Sequence, residues 1–146
     1  MSRRSLLARG GVVEKSRVVI TLAPGTTVLP LNLNGINIKI TDKNNTVLYS
    51  APAQASTNNL AIPAAPADNQ YTIEVVKVTY LYLNSGTSLR RVLELKIKNQ
   101  ATVRMNNCTN LTEVKNINVS ATTALSSLFD NCTNLTTIDP FTIKDG

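Results

Sequence analysis

The stretch NNCTNLTEV at residues 106–114 returns as DNCTNLTTI at residues 130–138. A weaker copy, SGTSLRRVLELKI at residues 85–97, precedes the first of them by a similar interval. This interval lies in the range of roughly 20 to 50 residues that is typical of repeat architectures, in which each unit buries its apolar edge against a stacked neighbour. The sequence therefore predicts three stacked units, called rungs below, over residues 84–146.

The apolar residues of the three copies fall at matching positions, and this alignment predicts the register in which the rungs stack. Before the last strand, four apolar residues have the i, i+3, i+4, i+7 spacing of one helix face, so each rung is expected to combine a strand with a short helical turn. These four residues are Leu125, Leu128, Phe129 and Cys132. The aligned strand residues are Leu89, Val92, Leu95 and Ile97, then Leu111, Val114, Ile117 and Val119, and then Leu135, Ile138, Phe141 and Ile143.

The string ALSSLFDNCTNLTTID at residues 124–139 resembles the BspA-like leucine-rich repeats of surface proteins, in which a helical turn runs into Cys-x-x-Leu-Thr and a strand. The match is good over residues 102–143 and poorer in the first copy, where no cysteine precedes Leu89. The residues that match the pattern are Leu128, Phe129, Cys132, Leu135 and Ile138. The resemblance implies a short solenoid whose exposed strand side is a recognition surface, made here of Lys115, Asn116, Asn118, Thr137, Asp139 and Thr142.

Residues 17–83 carry the two-residue period of β-strands. INIKI at residues 36–40 alternates isoleucine with polar side chains, which predicts a half-buried strand. The Asp-Lys-Asn-Asn sequence at residues 42–45 favours a turn, and TVLYS follows as the returning strand of a hairpin. Residues 51–70 contain three prolines and many small side chains, so we expect a surface connection with only a short edge strand at residues 60–62.

The longest strand signal is YTIEVVKVTYLYL at residues 71–83, whose alternation changes parity between Val75 and Val76 and so predicts a bulge there. The order of these features resembles the small immunoglobulin-like or fibronectin-like β-sandwiches of bacterial surface proteins and bacteriophage virion proteins. Together, the two resemblances predict a mainly β chain. An Ig-like β-sandwich over residues 17–83 is followed by a short leucine-rich-repeat solenoid with brief helical turns over residues 84–146.

The basic charge of the chain is concentrated in a docking arm, residues 1–16. The net charge is +6, and +4 of it lies at or before Arg17, with Gly10 and Gly11 as a hinge. The rest of the chain is too balanced for an extended phosphate-binding face, so we expect no specific nucleic acid partner. The residues expected to dock the chain to a partner are Arg3, Arg4, Arg9, Lys15 and Arg17.

The composition argues against several classes of function. The chain has no histidine, and its nine carboxylates are scattered singly, which disfavours acid–base and zinc catalysis. We therefore expect no enzyme activity, no catalytic residues, no cofactor and no metal. No apolar run approaches the roughly 18 residues of a membrane span, and Arg9 interrupts the only candidate export signal, so neither membrane insertion nor export is expected.

Three sets of side chains admit two interpretations each. Cys108 and Cys132 should lie about 5 Å apart on stacked strands, which allows a disulfide, although buried thiols are favoured. Tyr71, Tyr80 and Tyr82 are candidates for a carbohydrate-stacking platform, although packing in the core or at its rim is favoured. The repeat asparagines are expected to satisfy turn backbone groups rather than to bind sugar. They are Asn106, Asn107, Asn110, Asn131 and Asn134.

Together with the basic arm, the two resemblances imply a non-enzymatic structural protein of a bacteriophage particle, either a head fibre, a capsid decoration or a tail component, that assembles in the host bacterial cytoplasm. The arm would bind capsid, portal or tail proteins, and the displayed module would bind a host-surface protein or glycan. A bacterial cell-surface adhesin is the alternative, and a glycan hydrolase, which lacks paired carboxylates, is a third class. A homo-oligomer is expected because the last rung leaves an apolar assembly edge, which consists of Leu135, Ile138, Phe141 and Ile143.

Overall fold

The computed structural model of the chain describes residues 14–83, 87–120, 128–140 and 142–144. These residues are mainly β, as predicted, and they contain no helix. The strands are β1 (Ser16–Leu22), β2 (Val28–Ile36), β3 (Ile38–Thr41), β4 (Val47–Ala51), β5 (Ala55–Ala61), β6 (Tyr71–Val75), β7 (Lys77–Tyr82), β8 (Leu89–Ile97), β9 (Thr102–Arg104), β10 (Glu113–Val114), β11 (Ile117–Ser120), β12 (Thr137–Ile138) and β13 (Thr142–Lys144).

The strands form two sheets that share one core. The large sheet has the order β12-β10-β8-β1-β6-β3-β4, with β11 also beside β8 and β13 beside β11. The small sheet has the order β5-β2-β7-β9. A single cluster of buried side chains draws on both sheets and on both halves of the sequence, from Val18 to Leu128. Because burial of apolar area is the dominant favourable term in folding, this shared cluster ties the two halves together energetically.

The strand β8 joins the two halves of the sequence within the large sheet. On one side it pairs antiparallel with β1, and on the other it pairs parallel with β10 and β11. Val92 lies opposite Val114, which lies opposite Ile138, and Ile97, Val119 and Ile143 form a second such row. The register predicted from the repeat is therefore the one observed.

The small sheet continues across the same boundary. Its strand β9 pairs parallel with β7. One rung further on, the amides of Met105 and Asn107 donate to the carbonyl oxygens of Leu128 and Asp130 at 2.8 Å each. Both sheets therefore pass from residues 17–83 into the rungs without a break.

The predicted helical turn before the last strand is wrong for the residues that the structure describes. Residues 128–131 form turns, and two of their carbonyl groups accept hydrogen bonds from the preceding rung rather than from amides four residues ahead. The helix-like spacing of Leu128, Phe129 and Cys132 therefore reflects a turn whose apolar side chains face the core. Leu125, the first member of the predicted helix face, lies outside the described residues.

At two adjacent points the chain crosses from one sheet to the other within a single residue. Asn37, with φ of 55°, separates β2 of the small sheet from β3 of the large sheet, and Val76 separates β6 from β7. The amide of Val76 donates to the carbonyl oxygen of Ile36 at 2.9 Å, which holds the two crossings together. The change of parity at Val75 and Val76 is thus a change of sheet, and the prediction of a bulge there is wrong.

A register shift does occur further along the same segment, at Thr79. Asn34 lies opposite Tyr80 while its neighbour Gly35 lies opposite Val78, which leaves Thr79 as the extra residue of β7. After this shift Leu81 is buried, and the two flanking tyrosines lie half-buried on the outer face of the small sheet. Because of the bulge, the side chains of Tyr80 and Tyr82 lie on the outer face of the small sheet rather than in the core.

The predicted hairpin of residues 36–40 and 46–50 is confirmed as the pair β3 and β4, but Ile36 ends β2 of the other sheet, so the predicted first strand is wrong in its start. Asp42 Oδ1 accepts hydrogen bonds from the amides of Asn44 and Thr46 at 2.9 Å each, and Asn45 adopts the left-handed conformation with φ of 65°. The expectation for residues 51–70 is wrong in extent, because β5 is a long edge strand paired with β2 over most of its length. Its side chains are mixed and mostly exposed, so the hydrophobicity pattern of the sequence does not reveal this strand.

Asparagine supplies every non-glycine residue with positive φ in the described part of the chain. Its short side chain tolerates the left-handed region better than most others do. Asn107 and Asn131, at φ of 61° and 60°, occupy equivalent turns of successive rungs. Asparagine at these two positions therefore serves the repeated tight turn of the rungs.

Candidate functional site

The predicted repeat recognition surface lies on neighbouring rungs of the large sheet. Glu113 sits between Lys115 and Arg91, at 3.4 Å and 3.7 Å, so part of the basic charge is neutralised in place. The backbone amide of Asn116 donates to Asp139 Oδ2 at 3.0 Å, and its side-chain Nδ2 donates to the carbonyl oxygen of Leu93 at 3.0 Å. Asn116 and Asp139 therefore hold three successive rungs together.

The other members of this predicted surface occupy matching strand positions. Thr137 lies opposite Glu113, and Asn118 lies opposite both Lys96 and Thr142. The side chains of Lys115 and Thr137 are exposed, whereas Asn118 Oδ1 is buried and has no hydrogen-bond partner among the described residues. The structure thus places Lys115, Asn116 and Asn118 on one rung and Thr137, Asp139 and Thr142 on the next, and their role in recognition stays a prediction.

An ion-pair network covers the neighbouring part of the large sheet and includes one predicted docking residue. Arg17 lies within β1, where its guanidinium is 3.5 Å from Glu74 and 3.3 Å from Glu94. Lys96 lies 3.5 Å from the same Glu94. The charge of Arg17 is therefore largely neutralised by glutamates of the strands on either side.

The root of the docking arm is fixed to the end of β8. Ser16 Oγ accepts a hydrogen bond from the amide of Lys98 at 2.8 Å, and Glu14 lies 3.6 Å from the ammonium group of Lys98. Lys15, the only other arm residue that the structure describes besides Glu14 and Ser16, is exposed. Arg3, Arg4 and Arg9 lie outside the described residues.

The asparagine and threonine side chains of the repeats bond the rung before them. Asn110 Nδ2 donates to the carbonyl oxygen of Thr87 at 3.1 Å, and Asn134 Nδ2 donates to that of Thr109 at 2.7 Å. Asn131 Nδ2 donates to the side-chain oxygen of Asn107 at 2.9 Å. The prediction that the repeat asparagines satisfy turn backbone groups is confirmed for Asn110 and Asn134. Asn131 bonds a side chain instead, and Asn106 Oδ1 is buried without a hydrogen-bond partner among the described residues.

The two cysteines occupy equivalent inner positions on successive rungs and form no disulfide. Cys108 Sγ donates to the carbonyl oxygen of Leu83 at 2.8 Å, and Cys132 Sγ donates to that of Met105 at 2.9 Å. Burial raises the pKa of the Cys132 thiol, and hydrogen bonds from neighbouring Cys108 only partly offset this effect. Such thiols are poor nucleophiles near neutral pH, which is consistent with a packing role.

The predicted assembly edge is formed by the outermost strands of the large sheet. Within the described residues, β12 and β13 have a partner strand on one side only. Ile138 is 45% exposed and Leu135 is half-buried. Phe141 lies outside the described residues, and Ile143 is placed in β13 by its backbone alone.

A depression of about 360 Å³ lies on the outer face of the small sheet. The rings of Tyr80 and Tyr82 form one wall, with centroids 4.9 Å apart and planes inclined at 24°. The guanidinium carbon of Arg104 lies 5.3 Å from the centroid of the Tyr82 ring. The depression is lined by Asn32, Ser56, Thr57, Asn58, Tyr80 and Tyr82.

The structure separates the three tyrosines that the sequence grouped together. Tyr71 is 3% exposed and belongs to the core, and burial together with the negative charge of Asp42 raises its pKa. Tyr80 and Tyr82 are half-buried and lie on the opposite sheet. The preferred interpretation, packing in the core or at its rim, describes Tyr71 but not the other two.

Sequence reasoning missed the polar half of this depression. Asn32 alternates with buried Leu31 and Leu33, so the period-two pattern does identify a polar outer face on β2. Nothing in the pattern tells which strand lies beside β2, because β5 and β7 reach it from distant parts of the sequence.

A scan of the sequence against family models finds no match, and searches of curated proteins and of solved structures find none either. In the part of the chain that the structure describes, no helix is long and apolar enough to cross a membrane. Among the same residues, no three metal-ligating side chains lie together. The functional argument therefore depends on the arm, the rungs and the depression.

Proposed function

We propose that this chain is a non-enzymatic structural protein of a bacteriophage particle. The basic arm, residues 1–16, docks on other virion proteins of the capsid, portal or tail, and the β body is displayed outward as a head fibre, decoration or tail-associated component. The protein acts in the virion after assembly in the cytoplasm of the host bacterium. Its displayed part binds a protein or glycan of the host surface.

The fold that accompanies this proposal is an Ig-like β-sandwich over residues 17–83 that continues into a leucine-rich-repeat solenoid over residues 84–146. Support comes from the parallel stacking of β8, β10 and β12 at the repeat period, with asparagine and threonine bonds between rungs. Further support comes from the two sheets packed on one core. Solenoid units of this kind need stacked neighbours for stability, and here the large sheet supplies the first neighbour.

The observation that carries the proposal is the continuity of the large sheet from the root of the arm to the last rung. The arm leaves β1, which lies three strand positions from β12, a separation of about 14 Å at normal strand spacing. Because the strands between them are paired and share one core, a force or orientation imposed at the arm is transmitted to the rungs. Such a body is suited to fixed display rather than to movement around a reaction centre.

The experiment that tests the proposal is cross-linking mass spectrometry on intact phage particles produced from a genome that encodes this chain. The expected result is a stoichiometric presence of the chain in purified particles, with cross-links from Lys15 to another virion protein. Absence of the chain from particles that are complete and infectious contradicts the proposal. Cross-links confined to Lys115 and other rung residues contradict the assignment of the arm as the docking element.

The alternative is a bacterial cell-surface adhesin that uses the rungs to bind a host or protein partner. The similarity of residues 124–139 to surface-protein repeats favours it specifically. The two functions differ in location, so immunogold labelling of uninfected cells separates them. Label on the cell surface in the absence of phage supports the adhesin, and label confined to particles supports the virion protein.

We also propose that the chain functions as a homo-oligomer or within a larger assembly. The strands β12 and β13 form one edge of the large sheet, and Ile138 presents apolar area there. Unpaired edge strands are ready templates for pairing with another chain. A second copy of the chain, related by symmetry, covers this edge without a different partner protein.

A further inference from the structure

We infer that the depression on the outer face of the small sheet binds a saccharide, with one sugar ring against Tyr80 and Tyr82 and its hydroxyls bonded by Asn32 and Asn58. This places a ligand site on the sheet opposite to the predicted repeat recognition surface. It deepens the proposed function and rests on it for the host-surface glycan as ligand, and it holds for a virion protein and an adhesin alike. The argument depends on the aromatic wall, the unused amide at the floor and the charge of the lining.

The aromatic wall is rigid before any ligand arrives. Tyr80 and Tyr82 are stacked with centroids 4.9 Å apart, and Arg104 lies over the ring of Tyr82 at 5.3 Å. Two rings and a guanidinium held in series lose little conformational freedom when a ligand binds, and such tyrosines offer contact area at low entropic cost. Stacking covers one face of each ring, so the part of the half-buried rings that stays exposed is the apolar surface offered to the carbon–hydrogen face of a pyranose.

The floor of the depression contains an amide with unused hydrogen-bonding capacity. Asn32 lies opposite Tyr82 on one side and opposite Asn58 on the other. Its Oδ1 is buried and has no hydrogen-bond partner among the described residues, and a buried acceptor left unsatisfied costs free energy. The adjacent outward residue of the same strand, Asn34, differs in this respect, because its Oδ1 accepts a bond from Gln54 Nε2 at 2.6 Å.

Asparagine is well matched to a sugar because its amide both donates and accepts, as a hydroxyl does. Rotation of the Asn32 side chain exchanges its buried oxygen and its NH₂ group, so either can meet a ligand hydroxyl. Exposed Asn58 and Ser56 on the edge strand β5 supply a second row of polar groups across from the tyrosines. The depression, at about 360 Å³, lies at the lower end of the roughly 300 to 1,000 Å³ typical of small-ligand sites.

The charge of the lining favours a saccharide over nucleic acid. Among the described residues, no carboxylate, lysine or arginine lines the depression, and Arg104 lies against Tyr82. Single-stranded nucleic acid also stacks on aromatic rings, but its binding sites combine them with a positively charged groove that follows the phosphates. Amide and hydroxyl groups beside a tyrosine pair instead match the neutral hydroxyls of a sugar.

The test is a binding screen with the full chain against tetrasaccharides of glucose, galactose, mannose, rhamnose and N-acetylglucosamine, with an oligothymidylate as the rival probe. Saturation-transfer NMR detects binding, and tyrosine fluorescence gives the affinity because the chain has no tryptophan. Binding of at least one tetrasaccharide is expected. If none binds at millimolar concentration, or if the oligothymidylate binds more tightly than every sugar, the inference is overturned.

Variants locate the site. Tyr82→Ala should weaken the affinity about tenfold or more, whereas Tyr82→Phe keeps the ring and most of the affinity. Asn58→Ala, on the exposed edge strand, should also weaken binding without unfolding the chain. Tyr49→Ala on the large sheet is the matched control, and its affinity should equal that of the parent chain.

Two further outcomes contradict the inference. Sugar binding that survives Tyr80→Ala and Tyr82→Ala in a folded chain places the ligand elsewhere. Sugar binding that is lost in Lys115→Ala and retained in Tyr82→Ala assigns recognition to the repeat surface instead. Circular dichroism of each variant separates loss of binding from loss of fold.

Discussion

Replacement of Leu95 by alanine tests whether the two halves of the chain form one cooperative unit. Leu95 is fully buried on β8, where it lies opposite Val18 of β1 and Ile117 of β11. Truncation of a buried leucine costs about 2–5 kcal/mol, against a total stability of about 5–15 kcal/mol for a typical domain. A loss of about 3 kcal/mol lowers the Tm by about 10 °C for a chain of this length.

The chain contains a natural probe for each half, which makes the assay direct. All four tyrosines lie within residues 17–83, and both cysteines lie within residues 84–146. Urea unfolding is followed by tyrosine fluorescence and, in parallel, by thiol labelling of buried Cys108. We expect the two transitions to coincide in the parent chain and to shift together in Leu95→Ala, since coincident probes indicate two-state behaviour.

The control for this experiment is Val47→Ala, which removes a half-exposed side chain from the edge strand β4 and should change stability by less than about 0.5 kcal/mol. If the thiols of Leu95→Ala become accessible at lower urea while its tyrosine transition matches that of the parent chain, the halves are independent. That result refutes the inference that the shared core ties them together.

Three further predictions follow from individual contacts. Gly35→Ala should lower the free energy of unfolding in urea by about 1–3 kcal/mol, because an added Cβ collides with the carbonyl oxygen of Lys77 where the two sheet crossings meet. An unchanged free energy of unfolding would disprove this close approach. Burial raises the pKa of Cys132, so this thiol should react slowly with iodoacetamide at neutral pH and faster only as the pH approaches and passes its elevated pKa. A fast reaction at neutral pH, measured by mass spectrometry, would contradict this prediction. Ile138→Asp should reduce self-association in analytical ultracentrifugation while circular dichroism stays unchanged, and an identical mass distribution of variant and parent would argue against the assembly edge.

The repeat made the rungs predictable because it is a local pattern with a long-range consequence. Matching apolar positions one repeat apart can be buried together only if Val92, Val114 and Ile138 stack in register, and the structure has them so. Over the residues that the structure describes, the helical turn failed for the opposite reason. A four-residue spacing cannot distinguish a helix face from a turn whose carbonyl groups, such as that of Leu128, bond a neighbouring rung.

The tyrosine depression was predictable only in part. Tyrosines two residues apart in a strand must share a face, so the pairing of Tyr80 with Tyr82 follows from the sequence. Which face they share depends on a bulge at Thr79, and the presence of Arg104 beside them depends on a parallel pairing between β7 and β9. Neither feature has a local signature, because both arise from the close packing of two sheets.

The proposed display function depends most directly on the arm, and incorporation of arm variants into phage particles measures it. Arg3, Arg4 and Arg9 are replaced together by glutamine, and the control replaces three exposed cations of the β body, so that both variants lose the same charge. The control residues are Lys39, Lys77 and Arg90.

The amount of each variant per particle is determined by quantitative mass spectrometry of purified virions. The account predicts that the arm variant falls to background while the control matches the parent chain, because local rather than total charge binds the acceptor surface. Incorporation of the arm variant at the level of the parent chain would contradict the account.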